Sequence, residues 1–204
     1  MEKLNRNIAF LGFSESLETD PEYRAAYETG KLLAENGYTI VDGGGPGVMQ
    51  AASLGAKAGG GKTVGVTFYP KNIANFEGRT MTNPLDKEVI TQNYLERTLT
   101  LLSTGHMYVF FNGGTGTISE FGMAWGLARL YFGHHKPLIL YGDFWNNIIE
   151  AFKENMRLRP EELDVYKIVN SPEKVLAAIK GFEEKFGSNQ HQHVKVTSEA
   201  AFEY

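Results

Sequence analysis

Short apolar runs alternate along the chain with longer amphipathic stretches, and this alternation leaves few folds open to it. A short apolar run between polar residues is typical of a strand buried in a parallel sheet, and the stretches between the runs are long enough for connecting helices. The pattern therefore predicts a doubly wound α/β fold, with a mainly parallel sheet of about seven strands and helices on both faces. The predicted strands are residues 7–11, 38–41, 63–68, 88–91, 107–111, 137–141 and 166–169.

Start and stop signals define the helices between these strands. Thr19-Asp20-Pro21-Glu22 offers a cap, a proline at the first helical position and an early acid, and Asn36-Gly37 ends that helix. Ser171-Pro172-Glu173 repeats the start signal near the end of the chain. The other predicted helices are residues 46–58, 93–103, 117–131 and 146–157. The third of these is apolar almost all round, which predicts burial within the domain or at a subunit contact.

The length of 204 residues suits one domain, and we expect a single domain over residues 1–186 with a polar, loosely ordered tail over residues 187–204. The net charge of −4 gives no general attraction to nucleic acid or to anionic lipid. Neither a membrane-spanning apolar run nor a secretory signal is present in the sequence, so a soluble cytoplasmic protein is expected. The absence of cysteine excludes disulfides and thiolate chemistry.

Two glycine clusters each follow a predicted strand and precede a predicted helix. Such a position lets a ligand approach bare main-chain N–H groups, and the helix N-terminus adds partial positive charge. At the carboxyl ends of strands in one open sheet, both clusters would face a common crevice, where a phosphate is the natural ligand. The alternative is that the clusters only turn the chain from strand to helix. The clusters are Gly43, Gly44 and Gly45, and Gly113, Gly114, Thr115, Gly116 and Thr117, with the two threonine hydroxyls as further donors.

The sequence does not match the familiar nucleotide-binding and metal-binding motifs. Gly-x-Gly-x-x-Gly does not follow the first strand, which leads into Gly12-Phe13-Ser14-Glu15-Ser16. Residues 56–63 approach a P-loop, but Ala56 replaces the first glycine and the Lys-Thr pair leads into a strand instead of a helix. His134-His135 lies in a predicted loop and has no metal-binding spacing, so neither a metal nor another cofactor is expected.

Glu120 and Arg97 are the charged candidates near the second glycine cluster. Glu120 falls on the first turn of the helix that the cluster opens, where an acid stabilises any helix through its dipole. If Glu120 faces a sugar instead, its carboxylate would stabilise an oxocarbenium-like transition state and activate water. Arg97 lies on the preceding helix, and a surface pairing with Glu96 or another acid is the alternative to a role in the site.

These residues resemble the motifs of one family. Residues 113–120 look like the Pro-Gly-Gly-x-Gly-Thr-x-x-Glu motif of the LOG family, the cytokinin-activating nucleoside 5′-monophosphate phosphoribohydrolases that are often mislabelled lysine decarboxylases. Residues 43–49 resemble the family's Gly-Gly-Gly-x-x-Gly-Leu-Met. Arg97 falls where the family carries the arginine of an Arg-Lys-x-x-Met helix, so the resemblance spans about residues 8–141.

The resemblance implies a Rossmann-like domain that hydrolyses the N-glycosidic bond of a purine nucleoside 5′-monophosphate, such as AMP or N6-modified AMP, to free base and ribose 5-phosphate. It makes Glu120 and Arg97 catalytic and assigns the 5′-phosphate to the loop from Gly113 to Thr117. It also implies a homo-oligomer, commonly a dimer, and no metal or pyridoxal phosphate. The alternative is a non-catalytic nucleotide or molybdenum-cofactor carrier of the same superfamily, which carries similar glycine loops.

Three positions depart from the family pattern. Asn112 replaces the proline of the motif, Thr98 replaces the lysine after the catalytic arginine, and His106 stands where an aspartate usually introduces the strand. The change at Thr98 would remove a cation next to the site. Residues 69–86 also differ, and they form either a flap in which Phe76 stacks on a base or a surface loop.

Overall fold

One parallel sheet forms the centre of the protein. The computed structural model describes residues 7–70, 78–130 and 136–188. Within them, seven parallel strands pair in the order β4-β3-β2-β1-β5-β6-β7. This confirms the predicted Rossmann-like α/β fold. The strands are β1 (Asn7–Leu11), β2 (Thr39–Asp42), β3 (Thr63–Phe68), β4 (Lys87–Thr91), β5 (Met107–Phe110), β6 (Leu138–Tyr141) and β7 (Tyr166–Val169).

Helices connect these strands and cover both faces of the sheet. They are α1 (Pro21–Glu35), α2 (Val48–Ala58), α3 (Tyr94–Thr104), α4 (Thr115–Leu130), α5 (Phe144–Asn155), α6 (Pro160–Leu163) and α7 (Pro172–Ser188). Because successive side chains of a strand point to opposite faces, Ile8 and Phe10 of β1 pack with α1, α2 and α7, whereas Ala9 and Leu11 pack with α3, α4 and α5. Every strand of the centre is therefore buried on both sides. None of the helices in the described part of the chain is long and apolar enough to cross a membrane.

The order of the strands reverses at β1. From β1 the chain builds outward through β2 and β3 to β4, and it then returns through α3 to place β5 on the other side of β1. In open α/β sheets such a reversal leaves a crevice at the carboxyl ends of the two central strands. The crevice here lies above β1 and β5, between the segments that follow them.

Some helix starts differ from the sequence prediction, because local backbone and side-chain geometry determines where a helix begins and how it is capped. Gly47 has a φ of 65° and lies outside α2, so that helix starts at Val48 and not at residue 46. Asp20 makes no cap bond to α1, because its Oδ2 accepts from the N–H of Leu17 at 2.8 Å. The short helix α6 was not predicted. Residues 71–77 of the proposed flap, Phe76 among them, and the tail from residue 189 lie outside the described residues.

The helices α1 and α2 approach each other closely on one face of the sheet. A Cβ atom at Gly30 would lie 2.3 Å from the carbonyl oxygen of Ala52, and one at Gly55 would lie 1.9 Å from that of Tyr27. No real Cβ atom comes this close to a carbonyl oxygen. The two glycines therefore set the spacing of the helices, and with it the position of the α2 N-terminus beside the crevice.

We predict that Gly55→Ala destabilises the fold by about 1–3 kcal/mol despite the better helix propensity of alanine, because α1 and α2 must move apart. The matched control is Gly181→Ala in α7, where the nearest atom to a new Cβ is Lys167 Nζ at 3.7 Å. There the change should raise the free energy of unfolding by about 0.5–1 kcal/mol. Urea denaturation of both variants measures this, and equal stability of the two would contradict the packing argument.

Candidate active site

The crevice at the strand-order reversal is a cleft of about 330 Å³. Three parts of the chain line it: the end of β1 with the loop that follows it, one side of α3 from Tyr94 to Leu101, and the start of α4. Met49 of α2 completes the lining. These segments come from distant parts of the sequence, and the sheet brings them together because all follow strands whose carboxyl ends share one edge.

Arg97 and Glu120 form an ion pair at the bottom of this cleft. The Nη1 of Arg97 donates to the Oε1 of Glu120 at 2.7 Å, and each residue is only 6% exposed. Glu96 does not pair with Arg97. Its carboxylate accepts from the N–H of Gln92 at 2.9 Å and helps to cap α3, together with the Asn93 side chain. The expectation of a surface arginine paired with Glu96 is therefore wrong.

The guanidinium of Arg97 is held on several sides. Its Nε donates to the carbonyl of Val66 in β3 at 3.3 Å, and its Nη2 lies 3.7 Å from the Sδ of Met49. The ring of Tyr94 lies 5.9 Å away. A Cβ atom at Gly43 would fall 1.5 Å from Nη2. The guanidinium thus occupies space that any other residue at position 43 would fill.

Burial raises the pKa of Glu120 above its ordinary value, and the charge and hydrogen bond of Arg97 oppose that rise. The carboxylate is thus a stronger base than an exposed glutamate. Burying an ion pair costs desolvation energy that its attraction often does not recover, so such a pair is weak support for a stabilising role. The pair is instead suited to acid–base chemistry, because it places a basic carboxylate, oriented by a fixed cation, at the bottom of a cleft.

The second glycine cluster forms the side of the cleft above Glu120. Helix α4 begins at Thr115, two residues before the predicted start, so Glu120 lies beyond its first turn and not on it. As at any helix start, the first-turn N–H groups lack carbonyl partners within the helix. Gly114 is exposed, and a Cβ there would meet no atom of the described residues within 4 Å. Gly113 packs against Thr117, whose Oγ1 would be 2.2 Å from a Cβ at position 113. These open amides at a helix N-terminus are suited to an anion.

The first glycine cluster lies deeper. Gly43, Gly44 and Gly45 are buried, and the cleft lining does not include them. The N–H of Gly44 already donates to the Asp42 carboxylate at 2.6 Å, and the N–H of Thr80 donates to the Gly44 carbonyl at 2.9 Å. In this structure the cluster packs against the guanidinium of Arg97 through Gly43. Contact of the cluster with a nucleotide stays a prediction.

Asp42 is a buried acid that the sequence reasoning missed. Its Oδ2 accepts from the Ser53 hydroxyl at 2.5 Å, and its Oδ1 accepts from the Asn83 amide at 3.2 Å as well as from Gly44. Burial is the main cause that raises its pKa to about 6, against the hydrogen bonds and the charge of Arg97. The available signal was an acid that ends a buried strand directly before three glycines.

Residues 12–15 after β1 also line the cleft, and sequence reasoning did not assign them to the site. The N–H of Phe13 donates to the carbonyl of Asn112 at 2.9 Å, and its carbonyl accepts from Val48 at 3.0 Å. This loop therefore joins the start of α2 to the start of α4. Phe13 remains 39% exposed and offers an aromatic surface at the mouth of the cleft. The signal that could have found the loop is the glycine directly after β1.

The three departures from the family motifs do not line the cleft. Thr98 is 1% exposed, and the expected effect of losing a cation at this position stays a prediction. Asn112 accepts the hydrogen bond from Phe13 through its main-chain carbonyl, which a proline would also have. His106 accepts from the N–H of Asn7 at the amino end of β1, away from the cleft. Within the described ranges, no three His, Asp or Glu side chains gather to hold a metal.

Fold and sheet topology make this chain a Rossmann-like α/β protein. The chain belongs to the SLOG cluster4 family, whose model matches residues 5–168, and the resemblance to the LOG family is thereby confirmed. A cytokinin riboside 5′-monophosphate phosphoribohydrolase of Mycobacterium marinum is 33% identical over 131 residues, which are 63% of this chain and 67% of that protein. An uncharacterized protein of Archaeoglobus fulgidus is 31% identical over 126 residues, which are 61% of this chain and 79% of that protein.

The fold is also similar to a solved structure, that of the molybdenum cofactor binding protein from the phototrophic bacterium Rippkaea orientalis. The TM-score is 0.66 at 24% identity, over 88% of this chain and 98% of that one. This likeness shows the fold alone.

We predict that Asp42 makes the fold less stable as the pH rises. Between about pH 4 and pH 6 the folded protein keeps a proton on Asp42 that the unfolded chain releases, so the free energy of unfolding falls through this range. A pKa of about 6 against an ordinary value of 3.8 corresponds to about 3 kcal/mol. Asp42→Asn should therefore gain about 3 kcal/mol relative to the wild type between about pH 4 and pH 8.

Urea unfolding at several pH values measures this difference, and exposed Glu154→Gln serves as the control. Any constant cost of the lost hydrogen bonds affects all pH values alike, so only the change with pH is compared. If Asp42→Asn and the wild type follow parallel curves, the carboxyl group of Asp42 has an ordinary pKa in the folded state.

Proposed function

We propose that this protein hydrolyses the N-glycosidic bond of a purine nucleoside 5′-monophosphate, with AMP or an N6-modified AMP as substrate, to free base and ribose 5-phosphate. The observation that carries the proposal is the buried pair of Glu120 and Arg97 directly below the open N-terminus of α4. Anion-binding amides and a basic carboxylate within one cleft suit a substrate that joins a phosphate to a sugar.

The phosphate of the substrate would bind the amides of residues 114–117. These N–H groups have no helical acceptor, and the helix dipole favours negative charge at this end. The hydroxyl of Thr115 is exposed at the same place and adds a donor. Phosphate binding at the start of α4 fixes the nucleotide so that its ribose extends toward the bottom of the cleft.

Glu120 would then act at the anomeric carbon. As the bond from C1′ to the base nitrogen breaks, its electron pair leaves with the base and positive charge develops on the ribose, which the carboxylate stabilises. Glu120 also accepts a proton from water, whose oxygen forms the new bond to C1′. The proton that water loses offsets the one that the leaving base takes up. The guanidinium of Arg97 orients the carboxylate throughout.

The relatives support this assignment over a carrier function. The phosphoribohydrolase of Mycobacterium marinum is 33% identical to this chain, whereas the molybdenum cofactor binding protein of Rippkaea orientalis is 24% identical and shares the fold. A carrier of an anionic cofactor gains nothing from a buried carboxylate at the bottom of its cleft, since like charges in a poorly solvated site repel strongly. A glycosidase needs that carboxylate.

We predict that Glu120→Gln lowers kcat for AMP hydrolysis by about 10²–10⁴-fold, because the amide can neither stabilise the cation nor accept the proton. The measurement is release of adenine and ribose 5-phosphate from AMP and from N6-modified AMP by purified protein. The matched control is Glu154→Gln, which removes the same charge from an exposed site on α5 and should leave the rate unchanged.

Absence of base release by the wild type above the Glu120→Gln level would refute the hydrolase. Native mass spectrometry of the protein as isolated then tests the carrier function, because a carrier retains a pterin whereas a hydrolase is isolated without one. Thermal unfolding of Glu120→Gln shows whether a loss of rate reflects chemistry or folding.

The pH profile provides a separate prediction. Glu120 must be ionised to act, and burial raises its pKa, so kcat/KM should fall on the acid side at a pH above the ordinary glutamate value of 4.5. Arg97 lowers the pKa of Glu120. Any residual activity of Arg97→Met should therefore fall at a still higher pH. An acid limb that is unchanged in Arg97→Met would show that another group controls the profile.

A further inference from the structure

Asp42 is a buried ionisable residue that the proposed reaction does not use. It ends β2, is fully buried, and has three donors on its two carboxylate oxygens: Gly44 N–H, Ser53 Oγ and Asn83 Nδ2. Sheet packing alone gives no reason for a carboxylate at this position, since a buried acid is costly unless its environment requires it. The question is therefore which part of the chain these hydrogen bonds hold in place.

The hydrogen bonds hold the main chain of the first glycine cluster. Gly44 is fixed at its N–H by Asp42 and at its carbonyl by Thr80, and the carbonyl of Gly45 accepts from Asn83 at 3.0 Å. Asn83 also donates to Asp42, so the carboxylate and the glycine loop share one donor. Three main-chain atoms of two adjacent glycines are thus fixed in place.

This loop packs against one side of the Arg97 guanidinium. The guanidinium lies so close to Gly43 that a Cβ there would be 1.5 Å from Nη2. Nη1 faces Glu120 on the other side at 2.7 Å, and the charge of Arg97 acts on both Glu120 and Asp42. A displacement of the loop would therefore displace the guanidinium and, with it, the carboxylate to which it donates.

We propose that Asp42 is a positioning residue for Arg97: through its hydrogen bonds it fixes the main chain of residues 43–45, against which the guanidinium packs, and so it sets the orientation of Glu120. The consequence for catalysis depends on the proposed hydrolase function, whereas the positioning of Arg97 does not. The two parts therefore need separate measurements.

The first experiment follows the guanidinium directly. The Nε–Hε group of Arg97 is buried and donates to Val66, so it should give a slowly exchanging signal in ¹H–¹⁵N NMR spectra, identified by its loss in Arg97→Lys. We expect Asp42→Ala, which removes the acceptor of Gly44, Ser53 and Asn83, to speed the exchange of this hydrogen with water at least about tenfold. Val175→Ala, which opens a cavity in the core under α7, should lower overall stability and leave this exchange rate within about twofold.

Equal exchange of the Arg97 signal in Asp42→Ala and the wild type would overturn the proposal, whatever the enzyme does. Faster exchange in Asp42→Ala and Val175→Ala alike would also overturn it, because the effect would then follow from general destabilisation.

The second experiment measures the effect on the reaction. Asp42→Ala should lower kcat for AMP about tenfold and leave KM within about twofold, because the phosphate-binding amides of α4 are not attached to the loop that Asp42 fixes. In an Arg97→Lys background the same change should lower kcat less than about twofold, since the group through which Asp42 acts is gone.

Equal losses of kcat in both backgrounds would show that Asp42 does not act through Arg97. If the wild type releases no base while Asp42→Ala still speeds the exchange of the Arg97 signal, the positioning role stands and the hydrolase function fails. The two failures are therefore distinguishable.

Discussion

The buried ion pair between Arg97 and Glu120 is the constraint on which the rest of the site depends. Removing two charges from water is costly, and the loss is recovered only when the geometry is good and the remaining donors are satisfied. The structure meets this condition with a carbonyl from β3 for the Nε of Arg97 and with a glycine at position 43 that leaves room for the guanidinium. Residues on β3, α2, α3 and α4 and in the loop after β2 therefore contribute to one interaction.

The sheet topology explains how two residues on different helices come to share the cleft. The chain leaves the edge strand β4, crosses one face of the sheet in α3 and enters β5 beside β1, so the start of α3 lies near the carboxyl ends of the strands. Helix α4 then starts directly after β5 at the same edge. Arg97 and Glu120 each lie close to the start of their helix, and the two helix starts converge at the reversal of strand order.

Much of the fold was predictable from sequence, because buried parallel strands are continuous apolar runs. All seven predicted strands lie within one residue of the observed ends. The helix starts were less predictable, since they depend on local geometry such as the positive φ of Gly47. The pairing of Arg97 with Glu120 required the sheet topology: nothing in the sequence around Arg97 separates a buried partner on α4 from the neighbouring Glu96.

The two glycine clusters show why motif and role are separate questions. Both follow a strand and precede a helix, and from sequence both were expected to present bare amides to a ligand. At Gly114 the expectation fits the geometry, because no atom of the described residues lies within 4 Å of a Cβ placed there. At Gly44 the segment around Thr80 and Asn83 folds over the loop, and an acid from the preceding strand takes its N–H.

The difference therefore comes from what lies next to each glycine and not from the glycine pattern. An acid directly before the cluster supplies an internal acceptor, so the loop folds onto its own chain and becomes a rigid support. Where the preceding residue is Asn112, whose carbonyl is bonded to the loop after β1, the first amides of the helix remain open. The same turn chemistry thus yields a support for the buried Arg97 at one strand end and open amides at the other.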